Sequence, residues 1–264
     1  MTVAPPLRVP VLMYHEIADG SVTDSPLAVS PSAFADHIAY LRDAGFATVA
    51  AGELATVVAN HAGALPDKPV VLTFDDGYGD FYTQALPLLQ GSGYSATLFQ
   101  TTGWVGERDK AKRMMNWREL AESEQAGIEI GAHTCTHPQL DQLAEGSMRE
   151  ELYVSKSLLE DNLGLRVPGL AYPYGYSNAR VRRMARELGY DYGYAVGNAM
   201  ATSDDGTFTL PRFTVRHATS MDEFRKIVNG KDTLTLRRDR ALTSGYSLVR
   251  RVRSAFATRS SSAR

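Results

Sequence analysis

A single cysteine, Cys135, stands in the chain, so no intrachain disulfide can contribute to its stability. Long apolar runs are also missing. No stretch reaches the roughly 20 consecutive apolar residues that a membrane-crossing helix needs. Residues 1–8 carry prolines and no apolar segment of the secretory kind, and the run Val9 to Tyr14 is too short to serve as one. The expected compartment from these absences is the cytoplasm. Charge of one sign is scarce too, with 28 Lys and Arg against 30 Asp and Glu. The balance is uneven, however. Residues 231–264 hold nine Lys and Arg and two Asp, a net of +7, which leaves −9 on the rest. An acidic body argues against nucleic acid as a partner. The basic segment reads as a partly disordered tail behind a domain at 1–230. Its plain use is solubility, and its sharper use is a weak contact with anionic membrane or an acidic polymer. Nothing in the composition fixes an oligomeric state.

What is present suits one folded unit. The chain has 264 residues, 44% of them hydrophobic, the size of a single α/β barrel with a full core. Val70-Val71-Leu72-Thr73-Phe74 is an apolar, β-branched run behind Pro69, the pattern of a short core strand. It stops on Asp75 and Asp76, and Gly77 permits a sharp turn. Two carboxylates at the mouth of an apolar core are costly without compensation, and a cation would provide it. Nitrogen ligands are available in His133-Thr134-Cys135-Thr136-His137, which follows a second strand-like run at Ile128 to Ala132. Two histidines four apart on a tight loop or helical turn present their rings to one side. Asp76, His133 and His137 would give three protein ligands and leave a position for water, as in catalytic rather than structural sites. Imidazole with carboxylate suits Zn2+, with Co2+, Ni2+ or Mn2+ as alternatives. Cys135, between the histidines, is expected to point away from the metal.

Thr73-Phe74-Asp75-Asp76-Gly77-Tyr78 and His133-Thr134-Cys135-Thr136-His137-Pro138 resemble the first two motifs of the NodB-homology polysaccharide deacetylases. Ala171-Tyr172-Pro173-Tyr174-Gly175 resembles the next motif as it stands among the poly-N-acetylglucosamine deacetylases, and Pro10 to His15 is similar to the opening of that branch. The resemblance spans about residues 9 to 230 and implies a distorted (β/α) barrel of seven or eight parallel strands. It implies a hydrolase of carbon–nitrogen bonds other than peptide bonds, removing N-acetyl groups from a sugar or polysaccharide. Asp75 would be the general base and the backbone N–H of Tyr174 an oxyanion donor. Where much of the family has an arginine that orients the catalytic Asp, this chain has Ala171, and Arg212 is expected to supply that contact. The family's histidine general acid has His217 as its nearest counterpart. Asp191 stands where an acidic partner is often kept. Other readings of the same site are an O-acetyl esterase, a non-sugar amidase, or a barrel that binds carbohydrate without turning it over.

The remaining elements follow from periodicity. Ser30-Pro31 opens a helix with Phe34, Ile38 and Leu41 on one face. Helices are also expected at Asp80 to Leu89, at Gln142 to Asn162 with Met148, Leu152, Ser155 and Leu159 buried, at Ser177 to Leu188, and at Ser220 to Val228. Strand and helix alternate, which argues a parallel sheet. His37 and His61 are expected to face solvent, and His15 to pack near the barrel mouth. Trp104 and Trp117 flank a long loop where an indole could stack on a sugar.

Overall fold

The structure is a computed structural model that describes residues 7–20, 23–109 and 112–241. Its sheet contains β1 (Val11–Tyr14), β2 (Ala47–Thr48), β3 (Pro69–Asp76), β4 (Thr97–Gln100), β5 (Glu129–Ala132), β6 (Gly169–Ala171), β7 (Tyr192–Tyr194) and β8 (Phe213–Thr214). Seven strands run in the order β7-β6-β5-β4-β3-β1-β8, all parallel, and β2 pairs with the start of β3. Helices follow in turn: α1 (Pro31–Asp43), α2 (Ala51–Asn60), α3 (Leu86–Ser92), α4 (Trp117–Gln125), α5 (Glu145–Leu163), α6 (Ala179–Glu187) and α7 (Met221–Val228). The parallel sheet is the one the alternation argued, and the result is the distorted α/β barrel that the resemblance implied. Between β7 and β8 the ladder is interrupted, and Leu210 spans the gap. It bridges Tyr194, accepts from the Ala195 N–H at 2.8 Å and donates to the Gly193 carbonyl at 3.2 Å.

β3 is central because both of its faces are apolar and buried. Val70, Leu72 and Phe74 face the helices and join Phe34, Leu41 and Leu89 in the larger core. Val71 faces the other way and packs with Val11, Phe99, Ala171 and Tyr194, against which α2 sets Leu54 and Val58. Each such fully buried side chain contributes about 1.5–3 kcal/mol. Local signals set the helix ends. The Ser30 hydroxyl accepts the Ala33 N–H at 3.2 Å, and Asn178 and Ser220 cap α6 and α7 the same way.

Three local expectations differ from what is found. The helix after β3 begins as a π turn at Phe81–Ala85, then continues past Gly91 to stop at Gly93, whose φ of 68° ends it. α5 starts at Glu145, after a single 3-10 turn at Leu140–Gln142. His37 is buried, not solvent-facing: it lies three residues after Phe34, on the same helix face. There it stacks on Phe224 at 3.9 Å and meets the Tyr14 hydroxyl at 3.2 Å.

The start of the basic segment is packed on the body. Residues 234–241 are helical, Leu236 is buried in the main core, and Arg216 pairs with Asp239. The arginine clusters at 250–253 and 259–264 lie outside the described residues. Among the described residues, no helix is long and apolar enough to cross a membrane.

Candidate metal centre

Asp75 and Asp76 are still within β3, opposite Phe99 and Gln100 of β4. Strand alternation would send adjacent side chains to opposite faces. Asp76 escapes this because its φ is 75°, in the left-handed region, and Gly77 follows at 90°. The twist lets both carboxylates serve one mouth. Gln100 fixes it: its amide donates to the Asp76 carbonyl at 3.1 Å and the Thr101 carbonyl at 2.7 Å. A Cβ at position 77 would meet that Gln100 amide at 1.9 Å, so the turn requires glycine.

The histidine loop leaves β5 beside it. His133 stays in the ladder through its N–H to the Gln100 carbonyl, 2.9 Å. Its Nδ1–H donates to the Ala171 carbonyl at 2.8 Å, which turns Nε2 toward the carboxylates. Thr134 and His137 have φ of 67° and 62°. The Thr134 hydroxyl accepts the His137 N–H at 3.0 Å. Glu151 of α5 gathers the middle of the loop, accepting the Cys135 and Thr136 N–H groups at 2.9 and 2.8 Å. Asp76, Thr134, His137 and Tyr174 (φ 60°) are four of the six described non-glycine residues with positive φ. Such backbone costs on the order of 1–3 kcal/mol per residue and persists where surrounding contacts impose it.

The three sequence-predicted ligands meet. One donor atom from each of Asp76, His133 and His137 lies within 4.8 Å of the others. Asp76 Oδ1 is 3.4 Å from His137 Nε2 and 3.6 Å from His133 Nε2. That oxygen is buried and, among the described residues, has no hydrogen-bond partner. Two atoms that each bind one ion at about 2.0–2.1 Å with a tetrahedral angle lie about 3.4 Å apart. The donor set therefore fits a divalent cation in size and chemistry. Burial, the neighbouring Asp75 charge and Glu16 push the Asp76 carboxyl up to about 8. Burial lowers His133 to about 3 and lowers His137, so both imidazoles are neutral donors near pH 7.

Asp75 has the opposite environment. Arg212 donates to it twice, Nη1 to Oδ1 at 2.6 Å and Nη2 to Oδ2 at 2.8 Å, with neither side chain more than 2% exposed. Arg212 also donates to the Thr73 hydroxyl and the Ala195 carbonyl and lies over the Phe99 ring. Burial alone would raise Asp75, but Arg212 and then His133 outweigh it and hold the carboxyl at about 2. Its Oδ2 is 3.8 Å from His133 Nε2.

The structure does not bring His217 to this group. It is exposed, its N–H donates to the Pro26 carbonyl, and among the described residues it has no hydrogen bond or ion pair with Asp75, Asp76, His133 or His137. The imidazole at the mouth is His15. β1 pairs Tyr14 with Phe74, so the next residue of each strand, His15 and Asp75, are neighbours. His15 Nδ1 is buried without a hydrogen-bond partner among the described residues, and burial lowers the ring to about 4 against the opposing charge of Asp75. The signal was a histidine directly after a four-residue apolar strand, the same position the carboxylates take on β3. Asp191 lies outside the site, in an exposed bidentate pair with Arg166 at 2.6 and 2.7 Å. Tyr172 is core, its hydroxyl donating to the Phe208 carbonyl, whereas Tyr174 is exposed with its ring 4.8 Å from that of His137.

The family model described as polysaccharide deacetylase matches residues 62–193. YxkH of Bacillus subtilis, whose name assigns it to the polysaccharide deacetylases, is 31% identical over 83% of this chain and 75% of its own length. The poly-beta-1,6-N-acetyl-D-glucosamine N-deacetylase of Escherichia coli K12 is 24% identical over 81% of this chain, which spans only 37% of that protein. Among solved structures, the Streptococcus pyogenes deacetylase PplD in complex with acetate superposes with a TM-score of 0.77 at 26% identity, covering 85% of this chain and 99% of PplD. IcaB from Ammonifex degensii, 24% identical with a TM-score of 0.71 over 84% of this chain and 96% of its own, shares the fold. The chain belongs to the polysaccharide deacetylase family and is a hydrolase.

Proposed function

We propose that this protein removes N-acetyl groups from a polymer of N-acetylated sugar, of the poly-N-acetylglucosamine kind, with a divalent cation held by Asp76, His133 and His137. The observation that carries this is the buried, partnerless Asp76 Oδ1 facing two Nε2 atoms at 3.4 and 3.6 Å. Relatives named as poly-beta-1,6-N-acetyl-D-glucosamine N-deacetylases, from Escherichia coli and Staphylococcus aureus, support the sugar and the C–N bond. Zn2+ suits the donors best, with Co2+, Ni2+ or Mn2+ as alternatives. The cation, when bound, supplies Lewis acidity and acidifies a water.

The chain's own residues divide the proton work. Asp75, held ionised by Arg212, is the base that takes the proton of the attacking water. The Tyr174 backbone N–H, on a left-handed turn beside His137, is the donor for the developing oxyanion. His15 replaces His217 as the group that protonates the leaving amine. It enters the cycle neutral, next to Asp75, and can receive the proton that Asp75 removes.

Acetate release from β-linked N-acetylglucosamine oligomers, acetylated xylan and a simple amide tests this reading. Release from the first alone is expected. Release from xylan alone would move the site to the O-acetyl esterases. His15→Ala should lower kcat by about 10²–10⁴ with bound metal retained, and His217→Ala should stay within a factor of about two. The reverse pattern would restore His217.

A further inference from the structure

The ring assigned to the leaving amine is aimed by no hydrogen bond of its own. His15 Nδ1 is buried and has no partner among the described residues. A working histidine is ordinarily oriented by a hydrogen bond on its second nitrogen, as His133 is by the Ala171 carbonyl. His15 takes its orientation instead from the chain on either side of it. Before it, Tyr14 is fixed in β1, with its ring against those of Phe34 and Phe74. After it comes Glu16, whose side chain is only 3% exposed.

Lys112 Nζ donates to Glu16 Oε1 at 3.0 Å and is the ion-pair partner of Glu16 among the described residues. The same ammonium lies 5.4 Å from the centre of the Tyr78 ring. Lys112 belongs to a small antiparallel hairpin, Arg108–Asp109 with Lys112–Arg113, in the loop between β4 and α4. Backbone contacts tie that loop to both ligand-bearing segments. The Thr102 and Gly103 N–H groups donate to the Thr134 and Cys135 carbonyls at 3.1 and 2.8 Å, and the Met115 N–H donates to the Gly77 carbonyl at 2.9 Å. A Cβ at position 79 would come within 2.8 Å of the Arg113 carbonyl, so the close approach needs glycine. Arg113 itself donates to Glu119 of α4 at 2.8 and 2.6 Å. The hairpin is thus anchored to the carboxylate turn, the histidine loop and α4, and Lys112 carries that anchorage across to the end of β1.

Without Lys112, Glu16 would be a buried carboxylate lacking its counter-charge, and the chain beside it would have to shift to hydrate it. A displacement of about 1 Å at a reacting group is enough to cost on the order of a hundred-fold in rate. We propose that Lys112 is a positioning residue for the reaction: through its ion pair with Glu16 it fixes the chain at His15 and so aims the imidazole at the departing nitrogen. Lys112 needs no contact with substrate for this. The inference rests on the reading above in which His15 protonates the leaving amine.

Double-mutant cycles on acetate release from N-acetylglucosamine oligomers test this. Lys112→Met should lower kcat by about ten- to a hundred-fold, with KM within about two-fold and bound metal retained. Lys112→Arg keeps an ion pair and should recover most of the loss. In the His15→Ala background, Lys112→Met should change the remaining kcat by less than about two-fold, because the group it positions is gone. Glu16→Gln leaves no buried charge behind; it should also lower kcat, and adding Lys112→Met to it should lower kcat no further. A readout independent of turnover is the His15 ring resonance, one of six in the chain, assigned by its loss in His15→Ala. It should shift in Lys112→Met and return in Lys112→Arg. Unchanged kcat in Lys112→Met, losses that multiply in either cycle, a loss carried by KM or by bound metal, or an unmoved His15 resonance would overturn the inference. If His15→Ala alone leaves kcat intact, the reading of His15 fails and the inference falls with it. If His15→Ala is impaired but the losses multiply, the inference alone fails. If no glycan releases acetate, the deacetylase reading fails, and the resonance alone decides whether Lys112 holds His15.

Discussion

Asp75 and Asp76 are adjacent, of one residue type and buried to nearly the same degree, yet their environments are opposite. Asp75 finds its counter-charge within the protein, in the two-pronged contact from Arg212, and stays ionised. Asp76 has two neutral imidazoles, the Tyr78 hydroxyl and, among the described residues, one oxygen with nothing to accept from, and burial pushes it up to about 8. Burial acts on both in the same direction, so the partner decides the outcome. One carboxylate is compensated by the fold. The other stays uncompensated, in a donor set that could hold a cation.

The largest effect that would break this contrast is chelation, which should abolish turnover and be reversed by Zn2+. It also exposes the charge cost at Asp76. In the metal-free protein that carboxyl is raised, so the folded state binds more protons than the unfolded one between about pH 4 and 8. Stability therefore falls as pH rises through that window. The buried histidines have the opposite sign, but their contribution is complete above about 6.5. From pH 6.5 to 8, the Tm of metal-free protein should drop, and Asp76→Asn should flatten the drop. Zn2+ should raise Tm more at pH 8 than at pH 6.5; an equal shift at both would contradict the orphaned carboxyl.

Next in size, Asp75→Asn should lower kcat by about 10²–10⁴ while metal content by elemental analysis stays stoichiometric. Loss of metal in this variant would merge the two roles that the geometry separates. Arg212→Ala leaves Asp75 buried without its partner and should destabilise the protein by about 3–5 kcal/mol, read by denaturant unfolding, and slow turnover with metal binding retained. Arg212→Lys should recover only part, because an ammonium cannot make the paired contact. The smallest effect is Glu151→Gln. Weakening a carboxylate that accepts two loop N–H groups should cost about 1–3 kcal/mol and loosen metal affinity, measured by competition with a chromophoric chelator.

The sequence was most informative where chemistry is local. The strand ending on Asp75 and Asp76, the paired histidines, the Ser30 cap and the buried face of α5 are each written in a few neighbouring residues. His37 is equally local: three residues from Phe34, its place on the helix face outweighs its polarity, and it is buried. His15 and Glu151 were harder. His15 matters because β1 lies beside β3 in a register that aligns Tyr14 with Phe74, and no short pattern encodes that pairing. Glu151 looks like any solvated helix carboxylate until α5 is packed under the histidine loop.

The sequence by itself determined the donor types, their order along the chain, and the alternation that makes a parallel sheet. Hydrophobic periodicity and residue chemistry are properties of short segments, so they survive being read one segment at a time. The sequence also named Arg212 as the partner of Asp75; only the tertiary structure decided that this contact, across 137 positions, is paired and buried. It also decided that His15, not His217, stands at the mouth. Strand register and barrel closure depend on the whole sheet at once, and the counter-charge on a buried group is whatever that closure brings within hydrogen-bonding distance.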